Sequence, residues 1–158
     1  MLSLRPATRH DVPRILSLIR ELAAYEREPG AVVATEADLL RDGFGERPQF
    51  RVTLADWNGE TVGFAFWFYG YSTWRGRPTL YLEDLFVRPG LRGRGIGKAL
   101  MEFLARTAVE NNCGRLLWLV LDWNEDAIRF YESLGAKVLR EWLTVKLDGA
   151  ALRALAEG

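Results

Sequence analysis

The chain has 158 residues, of which 49% are hydrophobic and 27% are charged, as expected of one globular domain. Its 21 basic and 21 acidic residues cancel, which argues against a general nucleic-acid or membrane-surface role, because both usually need a basic excess. The chain has a single cysteine, which excludes an intramolecular disulfide. One cysteine and one histidine are also too few for an ordinary zinc site. With no apolar signal segment or span, the sequence predicts a cytoplasmic protein without metal.

The first part of the chain predicts one strand and two helices. Residues 2–5 predict a short strand, and apolar residues at helical spacing follow Asp11, with Pro13 in the first turn, where proline is tolerated. Thr35, with Asp38 three residues later, predicts the start of a second helix that runs to about Arg41.

The middle of the chain predicts a β-hairpin and a further strand. Two runs of aromatic and β-branched residues, 50–57 and 60–69, are joined by Asn58-Gly59, the dipeptide that most strongly signals a tight hairpin turn. Residues 79–87 predict the next strand.

The last part of the chain predicts alternating helices and strands. The predicted elements are a helix at about 95–112, a buried strand at 115–121, a helix at 127–134 ended by Gly135, a strand pair at 137–139 and 142–147, and a short C-terminal helix. This order predicts an α/β (α+β) fold in one domain, residues 1–158, with a central, mixed, twisted sheet flanked by helices.

A glycine-rich segment, Arg92-Gly93-Arg94-Gly95-Ile96-Gly97, lies between the strand at 79–87 and an amphipathic helix. Glycines let a ligand approach the backbone closely, and the N–H groups at a helix start form a concave anion site that the two arginines reinforce. A pyrophosphate is the natural ligand. The segment does not complete a Walker A loop or a dinucleotide-binding loop. The alternative is a glycine-rich turn that only starts the helix.

Two adjacent carboxylates, Glu83 and Asp84, interrupt an otherwise apolar strand at 80–87. Aliphatic residues occupy even positions before the pair and odd positions after it, a change of phase that a β-bulge produces. The alternative is a strand buried on both faces, in which the phase carries little meaning. Because buried carboxylates are costly without partners or a function, the pair is a candidate for a functional site.

Several motifs together resemble the GNAT family of N-acetyltransferases. They are Phe86-Val87, Arg92-x-x-Gly95-x-Gly97, Asn124 and Phe130-Tyr131-Glu132-x-x-Gly135-Ala136. Further motifs are similar to the diamine (spermidine/spermine) acetyltransferase subgroup, namely Arg5-Pro6-Ala7-Thr8, Glu21-Leu22-Ala23-x-Tyr25-Glu26, Asp38-Leu39-Leu40-x-Asp42-Gly43-Phe44-Gly45, Tyr81-Leu82-Glu83-Asp84 and Trp123-Asn124-Glu125. The resemblance spans nearly the whole chain, and it implies a GNAT-like domain that moves an acetyl group from acetyl-CoA to an amine.

The resemblance also implies where acetyl-CoA binds. The cofactor lies in the wedge between two parting parallel strands, here 79–87 and 115–121, and its pantetheine arm pairs with exposed strand backbone. A backbone N–H of the first strand polarises the acetyl carbonyl. The subunits are expected to pair as a homodimer. The implied cofactor-binding residues are Leu85, Phe86, Val87, Arg92, Gly93, Arg94, Gly95, Ile96, Gly97, Asn124 and Tyr131.

Catalysis needs two proton transfers, and the resemblance implies which residues perform them. A primary amine, with a pKa of about 10.4, arrives protonated at neutral pH and must lose a proton before it attacks. Glu83 is the candidate base, directly or through water, with Asp84 second. Tyr131 matches the family tyrosine beside the sulfur and is the candidate general acid. Tyr25, Glu26, Glu83 and Asp84 are the implied amine-binding residues. From spacing alone, Tyr131 would be a core aromatic residue and Glu26 a solvated one.

The identity of the amine stays open between two classes. Polyamines suit the acidic residues, whereas Arg75 and Arg77 would repel a polycation and suit a thialysine-like amino acid, which carries a carboxylate. Protein or peptide amines rank behind both. A non-catalytic acyl-CoA-binding module is the other alternative, but it need not keep Tyr131, Glu83 and Glu26 together. The sequence therefore favours an enzyme that acts on a small-molecule amine.

Overall fold

A mixed sheet of five strands organises residues 1–119 of the computed structural model, which describes the whole chain from Met1 to Gly158. Neighbouring strands from the first to the fourth are antiparallel, and the fifth is parallel to the fourth. This arrangement confirms the predicted mixed α/β fold. In spatial order the strands are β1 (Leu2–Pro6), β2 (Arg51–Trp57), β3 (Glu60–Ser72), β4 (Arg77–Val87) and β5 (Arg115–Trp118).

Three α-helices accompany the sheet in this first compact unit, Met1–Leu119. Phe64 and Phe86 are paired across β3 and β4, and they belong to a core that α1 and α2 share with one face of the sheet. Leu80 and Leu82 face the opposite side, where α3 contacts β4, and both are fully buried. The helices are α1 (Val12–Tyr25), α2 (Glu36–Gly43) and α3 (Ile96–Glu110).

Short-range signals in the sequence account for two of these elements. Asn58 and Gly59 have φ angles of 52° and 84°, as the tight turn between β2 and β3 requires. Thr35 caps α2, because its hydroxyl accepts a hydrogen bond from the Asp38 N–H at 3.2 Å, and Asp38 Oδ2 accepts one from the Thr35 N–H at 2.9 Å. The predicted hairpin and helix start are both confirmed.

The second compact unit, Val120–Gly158, contains two helices, α4 (Glu125–Ser133) and α5 (Gly149–Ala156). Asn124 caps α4, because its Oδ1 accepts a hydrogen bond from the Ala127 N–H at 3.3 Å. Gly135 follows the end of α4 with a φ of 95°, as predicted. No helix anywhere in the chain has the length and apolar character needed to cross a membrane.

The strand pair predicted at 137–139 and 142–147 is wrong, and the strand predicted at 115–121 ends at Trp118. Residues 136–148 contain neither helix nor strand, and Leu143 and Val145 are 82% and 92% exposed. Alternating apolar residues predict which face of a strand would be buried. A strand forms, however, only where a neighbouring backbone completes its hydrogen bonds, and this segment is in no ladder.

Candidate active site

Strand β4 extends beyond the end of its parallel neighbour. Its pairing with β5 runs from Thr79 to Leu82, opposite Arg115 to Trp118, where β5 ends, whereas β4 continues to Val87. The last part of β4 therefore has β3 on one side and no β5 residue on the other. Such an edge offers hydrogen bonds to an extended ligand, and it agrees with the predicted cleft between two parting parallel strands.

A β-bulge lies in β4 at the two carboxylates. Phe66 on β3 pairs with Asp84, and the pairing resumes at Leu82, so Glu83 is the additional residue. This confirms one of the two interpretations of the change of phase. Because directly opposed residues share a face, Asp84 faces the same side of the sheet as Phe66 and, across the bulge, as Tyr81. An unbroken strand would place Tyr81 and Asp84 on opposite faces.

The carboxylates predicted to bind the amine form one electrostatic cluster. Burial raises the pKa of Asp84 to about 7, and the negative charges of Glu83 and Glu26 add to this increase. Burial also raises the pKa of Glu26, which directly follows α1, whereas Glu83 is exposed on the bulge. A protonated amine among these groups would stabilise their charged forms, so the cluster can attract a cation.

Tyr81 is a neighbour of this cluster that the sequence pattern did not identify as a site residue. Its ring centroid lies 5.0 Å from that of Phe68, and its pKa is raised by burial and by the charge of Glu83. The signal that could have identified it is the change of phase, because a bulge at Glu83 puts Tyr81 and Asp84 on one face. Its ring could contact the alkyl part of an amine.

The glycine-rich segment forms an open turn at the start of α3. Gly93 and Gly95 have φ angles of 76° and 82°, in the left-handed region that favours glycine. The Ala99 N–H bonds the Gly95 carbonyl at 3.0 Å, so the earlier N–H groups, including those of Ile96 and Gly97, have no acceptor within the helix. A Cβ on Gly93 or Gly95 would meet no atom within 4 Å. Donors, dipole and space therefore fit a pyrophosphate.

The two arginines of this segment contact aromatic rings. The Nε of Arg92 donates a hydrogen bond to the Val87 carbonyl at 3.0 Å, and its guanidinium carbon lies 4.2 Å from the centroid of the Tyr25 ring. The guanidinium carbon of Arg94 lies 5.8 Å from the ring centroid of Trp57. Tyr25, predicted to bind the amine, is thereby joined to the segment predicted to bind the pyrophosphate.

Two predicted site residues, Asn124 and Tyr131, lie in the second compact unit. Asn124 is buried, and its side-chain oxygen is engaged in capping α4. Tyr131 lies on α4, with its ring centroid 5.3 Å from that of Phe130. Their contacts with the cofactor stay predictions.

Arg75 and Arg77 lie at the hairpin end of β3 and β4, away from the carboxylates. Arg77 begins β4, and its Nη1 donates to Asn112 Oδ1 at 3.5 Å. Arg75 Cδ is 2.9 Å from the position that a Cβ on Gly114 would occupy. Asp84 lies near the other end of β4, roughly 20 Å away along an extended strand. Within one chain, neither arginine is placed to hold the carboxylate of an amine bound at Asp84, or to repel a polycation there.

Comparison with known proteins identifies the family. Residues 14–136 match the model described as the acetyltransferase (GNAT) family. The chain belongs to the GNAT family. The thialysine N-epsilon-acetyltransferase of Bos taurus is 40% identical to this GNAT chain over 97% of the chain and 96% of that protein. The spermidine/spermine N(1)-acetyltransferase-like protein 1 of Homo sapiens is 41% identical over 84% of the chain and 20% of that protein.

A solved structure agrees with this assignment. An integron cassette protein from the mobile metagenome of V. cholerae is 30% identical and has a TM-score of 0.83, with 99% of this chain and 98% of that chain covered. The predicted resemblance to GNAT enzymes and their diamine subgroup is confirmed. This GNAT protein is therefore an acetyl-CoA-dependent N-acetyltransferase.

Proposed function

We propose that this GNAT enzyme acetylates a small primary amine that carries a second positive charge. The carboxylate cluster of Glu26, Glu83 and Asp84 supports this most directly, because negative charges held close together favour a ligand with more than one ammonium group. Polyamines have this pattern. Thialysine and ornithine have it as well, because the α-amino group is a second cation. The names of the bovine and human relatives contain the same two classes of amine.

The same carboxylates supply the base. Glu83 is the base predicted from sequence, with Asp84 second, and the burial of Asp84 supports the reverse order. Asp84 has a pKa of about 7, near the pH at which a general base works best, and its charge interacts with both other carboxylates. In this scheme Asp84 takes the proton from the ammonium group, directly or through water. Glu83, exposed on the bulge, attracts and orients the cation.

The remaining roles follow the family resemblance. When bound, acetyl-CoA supplies an acetyl group activated as a thioester. The amine nitrogen bonds to the acetyl carbon as the carbon–sulfur bond breaks, and we assign Tyr131 as the acid that protonates the leaving sulfur. The backbone of residues 85–87 holds the acetyl end and polarises its carbonyl. The backbone N–H groups of residues 92–97 hold the pyrophosphate, and Asn124 contacts the pantetheine.

One catalytic domain and a homodimer belong to the same proposal. The family match at residues 14–136 runs across the boundary between the two compact units, which supports a single domain over residues 1–158. We propose the pairing of subunits because the family resemblance implies it, and we propose a cytoplasmic location as the expectation from the sequence. A mass measurement that finds only an 18.0 kDa species at micromolar concentration would contradict the homodimer.

An amine panel tests the substrate class. With acetyl-CoA and thiol release as the readout, we expect turnover of thialysine, ornithine, putrescine or spermidine. The matched control is the same terminal amine without its second cation, for example Nα-acetylornithine beside ornithine. Its kcat/KM should be at least about tenfold lower, because a charged partner is lost. Equal turnover of monoamines or of peptide amines would contradict the proposal.

A substitution in the cluster provides the second arm of the test. Glu26→Gln should raise the amine KM about fivefold and leave the acetyl-CoA KM unchanged, since one attractive charge is removed. Glu28→Gln is the matched control, because Glu28 is exposed just beyond Glu26 and has no part in the cluster. Identical amine kinetics in both variants would show that the cation binds elsewhere.

A further inference from the structure

The side chain of Arg92 turns back from the glycine-rich segment toward the sheet and α1. Its Nε donates to the Val87 carbonyl at 3.0 Å, and its guanidinium carbon lies 4.2 Å from the Tyr25 ring centroid and 5.8 Å from that of Phe86. The face of an aromatic ring attracts a guanidinium group at such distances. Arg92 therefore touches the end of β4 and the end of α1 at once.

The carbonyl that Arg92 bonds lies on the open edge of β4. The Phe86 carbonyl oxygen is 2.7 Å from the position of a Cβ on Gly63 of β3, so it points toward β3. Successive carbonyls along a strand point in opposite directions, and the Val87 carbonyl therefore points away from β3. Strand β5 reaches only as far as Leu82. Arg92 thus satisfies a carbonyl that the sheet leaves without a strand partner.

The contact with Tyr25 fixes the end of a helix that leads into the carboxylate cluster. Tyr25 is the last residue of α1, and Glu26 follows it. Glu26 is close enough to Asp84 for its charge to raise the pKa of Asp84. A movement of Tyr25 would therefore change the distance between these carboxylates without removing either of them.

We propose that Arg92 is a positioning residue for the amine and that, through Tyr25, it couples the glycine-rich segment to the amine site. The inference rests on the proposed function, which places the amine at the carboxylate cluster. The Nε of Arg92 is engaged at Val87 and its guanidinium face at the Tyr25 ring, so one donor and one face of this side chain act on the protein. Arg94, whose guanidinium lies beside Trp57 and makes neither of these contacts, is the arginine that we assign to the anion alone.

Arg92→Lys tests this role, because lysine keeps the charge and loses the planar group that bonds Val87 and stacks on Tyr25. We expect kcat/KM for the amine to fall about tenfold, from the loss of one hydrogen bond and one cation–π contact. The acetyl-CoA dissociation constant, measured by titration calorimetry, should change by less than about twofold. Arg94→Lys is the matched variant in the same segment, and its effect should fall on acetyl-CoA binding instead of on the amine KM.

A double-mutant cycle with Tyr25→Leu tests the route of the coupling. If Arg92 acts through Tyr25, the double variant should lose no more amine kcat/KM than the larger single variant. Additive losses would overturn the inference. So would weaker acetyl-CoA binding by Arg92→Lys with unchanged amine kinetics, because Arg92 would then be a phosphate ligand.

An NMR measurement tests the contact between Arg92 and Tyr25, and the amine kinetics separate failure of this inference from failure of the proposed function. The Nε–H resonance of Arg92 should shift when Tyr25 is replaced by leucine, because the ring current is lost, and this readout needs no turnover. If the wild-type enzyme acetylates no diamine, the proposed function fails and this inference fails with it, whatever the resonance does. If diamines are acetylated and Arg92→Lys leaves their kinetics unchanged, only this inference fails.

Discussion

The carboxylate cluster and the glycine-rich segment prepare for their ligands by opposite physical means. The cluster acts through side-chain charges, and burial together with mutual repulsion raises the pKa of Asp84 to about 7. The segment acts through backbone N–H groups, and Gly93 and Gly95, whose positive φ angles favour glycine, have no side chain that could obstruct them. Ligand binding at a site built from charged side chains should change with pH and when a carboxylate is replaced by the amide of the same shape. A site built from backbone responds to an added Cβ atom.

The largest loss of activity is expected from a substitution outside both the carboxylate cluster and the glycine-rich segment. Tyr131→Phe removes the proposed acid and keeps the ring, so kcat should fall by about 10²- to 10⁴-fold, the usual worth of general acid catalysis. Steady-state kinetics measure kcat. Titration with acetyl-CoA measures the affinity for the cofactor, which should be retained. A wild-type kcat in this variant would remove Tyr131 from the mechanism.

The second-largest loss of activity is expected in the carboxylate cluster, and its pH dependence tests whether Asp84 titrates as the base. A base must be unprotonated to act, so wild-type kcat/KM for the amine should rise with pH through about 7, as Asp84 loses its proton. Asp84→Asn should lower kcat/KM by about 10²-fold and abolish that inflection. Glu83→Gln is the comparison, and it should lower the rate less and keep the inflection. The opposite ranking would restore Glu83 as the base.

The glycine-rich segment should respond to a single methyl group. Gly95→Ala should raise the acetyl-CoA KM about tenfold and leave the amine KM unchanged, because a Cβ enters the space proposed for the pyrophosphate. Gly76→Ala controls for backbone strain, since Gly76 also has a positive φ, 63°, and open space around it, but lies between β3 and β4. An equal rise in KM for the two variants would assign the effect to strain.

The smallest expected effect is a pH-dependent change in the free energy of unfolding when Asp84 is replaced. The pKa of Asp84 is raised on folding, so its contribution to stability is fully present below its unfolded value and is lost as pH rises through about 7. Asp84→Asn should therefore stabilise the protein at pH 8 by on the order of 1–2 kcal/mol, and the gain should vanish toward pH 4. Urea unfolding at both pH values measures this difference.

Asp38 supplies a control, because folding lowers its pKa whereas folding raises the pKa of Asp84. Its hydrogen bonds with Thr35 lower its pKa, so its contribution to stability is present above the unfolded value and is lost as pH falls through the folded value. Asp38→Asn should therefore destabilise the protein at pH 8. A gain at pH 8 in both variants would show that loss of negative charge in general, and not burial at Asp84, stabilises the protein.

The amino-acid sequence alone determined the features that depend on residues close together along the chain. The turn at Asn58-Gly59, the cap of α2 at Thr35 and the start of α3 at Gly95 all lie where the sequence predicts them. Each needs only a φ preference or a side chain within reach of its own backbone. The motifs of the GNAT family could be recognised for a related reason, since each is a short run of residues, and the motifs at 38–45 and 92–97 lie at two of these local features.

The tertiary structure decided the features that depend on distant partners. The change of phase around Glu83 allowed two interpretations, and only the register against β3 makes it a bulge that places Asp84 and Tyr81 on one face. The segment at 137–147 has the alternation of a strand but no ladder, so it forms none. The high pKa of Asp84 requires burial and the approach of Glu26 from the end of α1. Hydrogen-bond register and desolvation are set by neighbours far along the chain, and a linear pattern does not contain them.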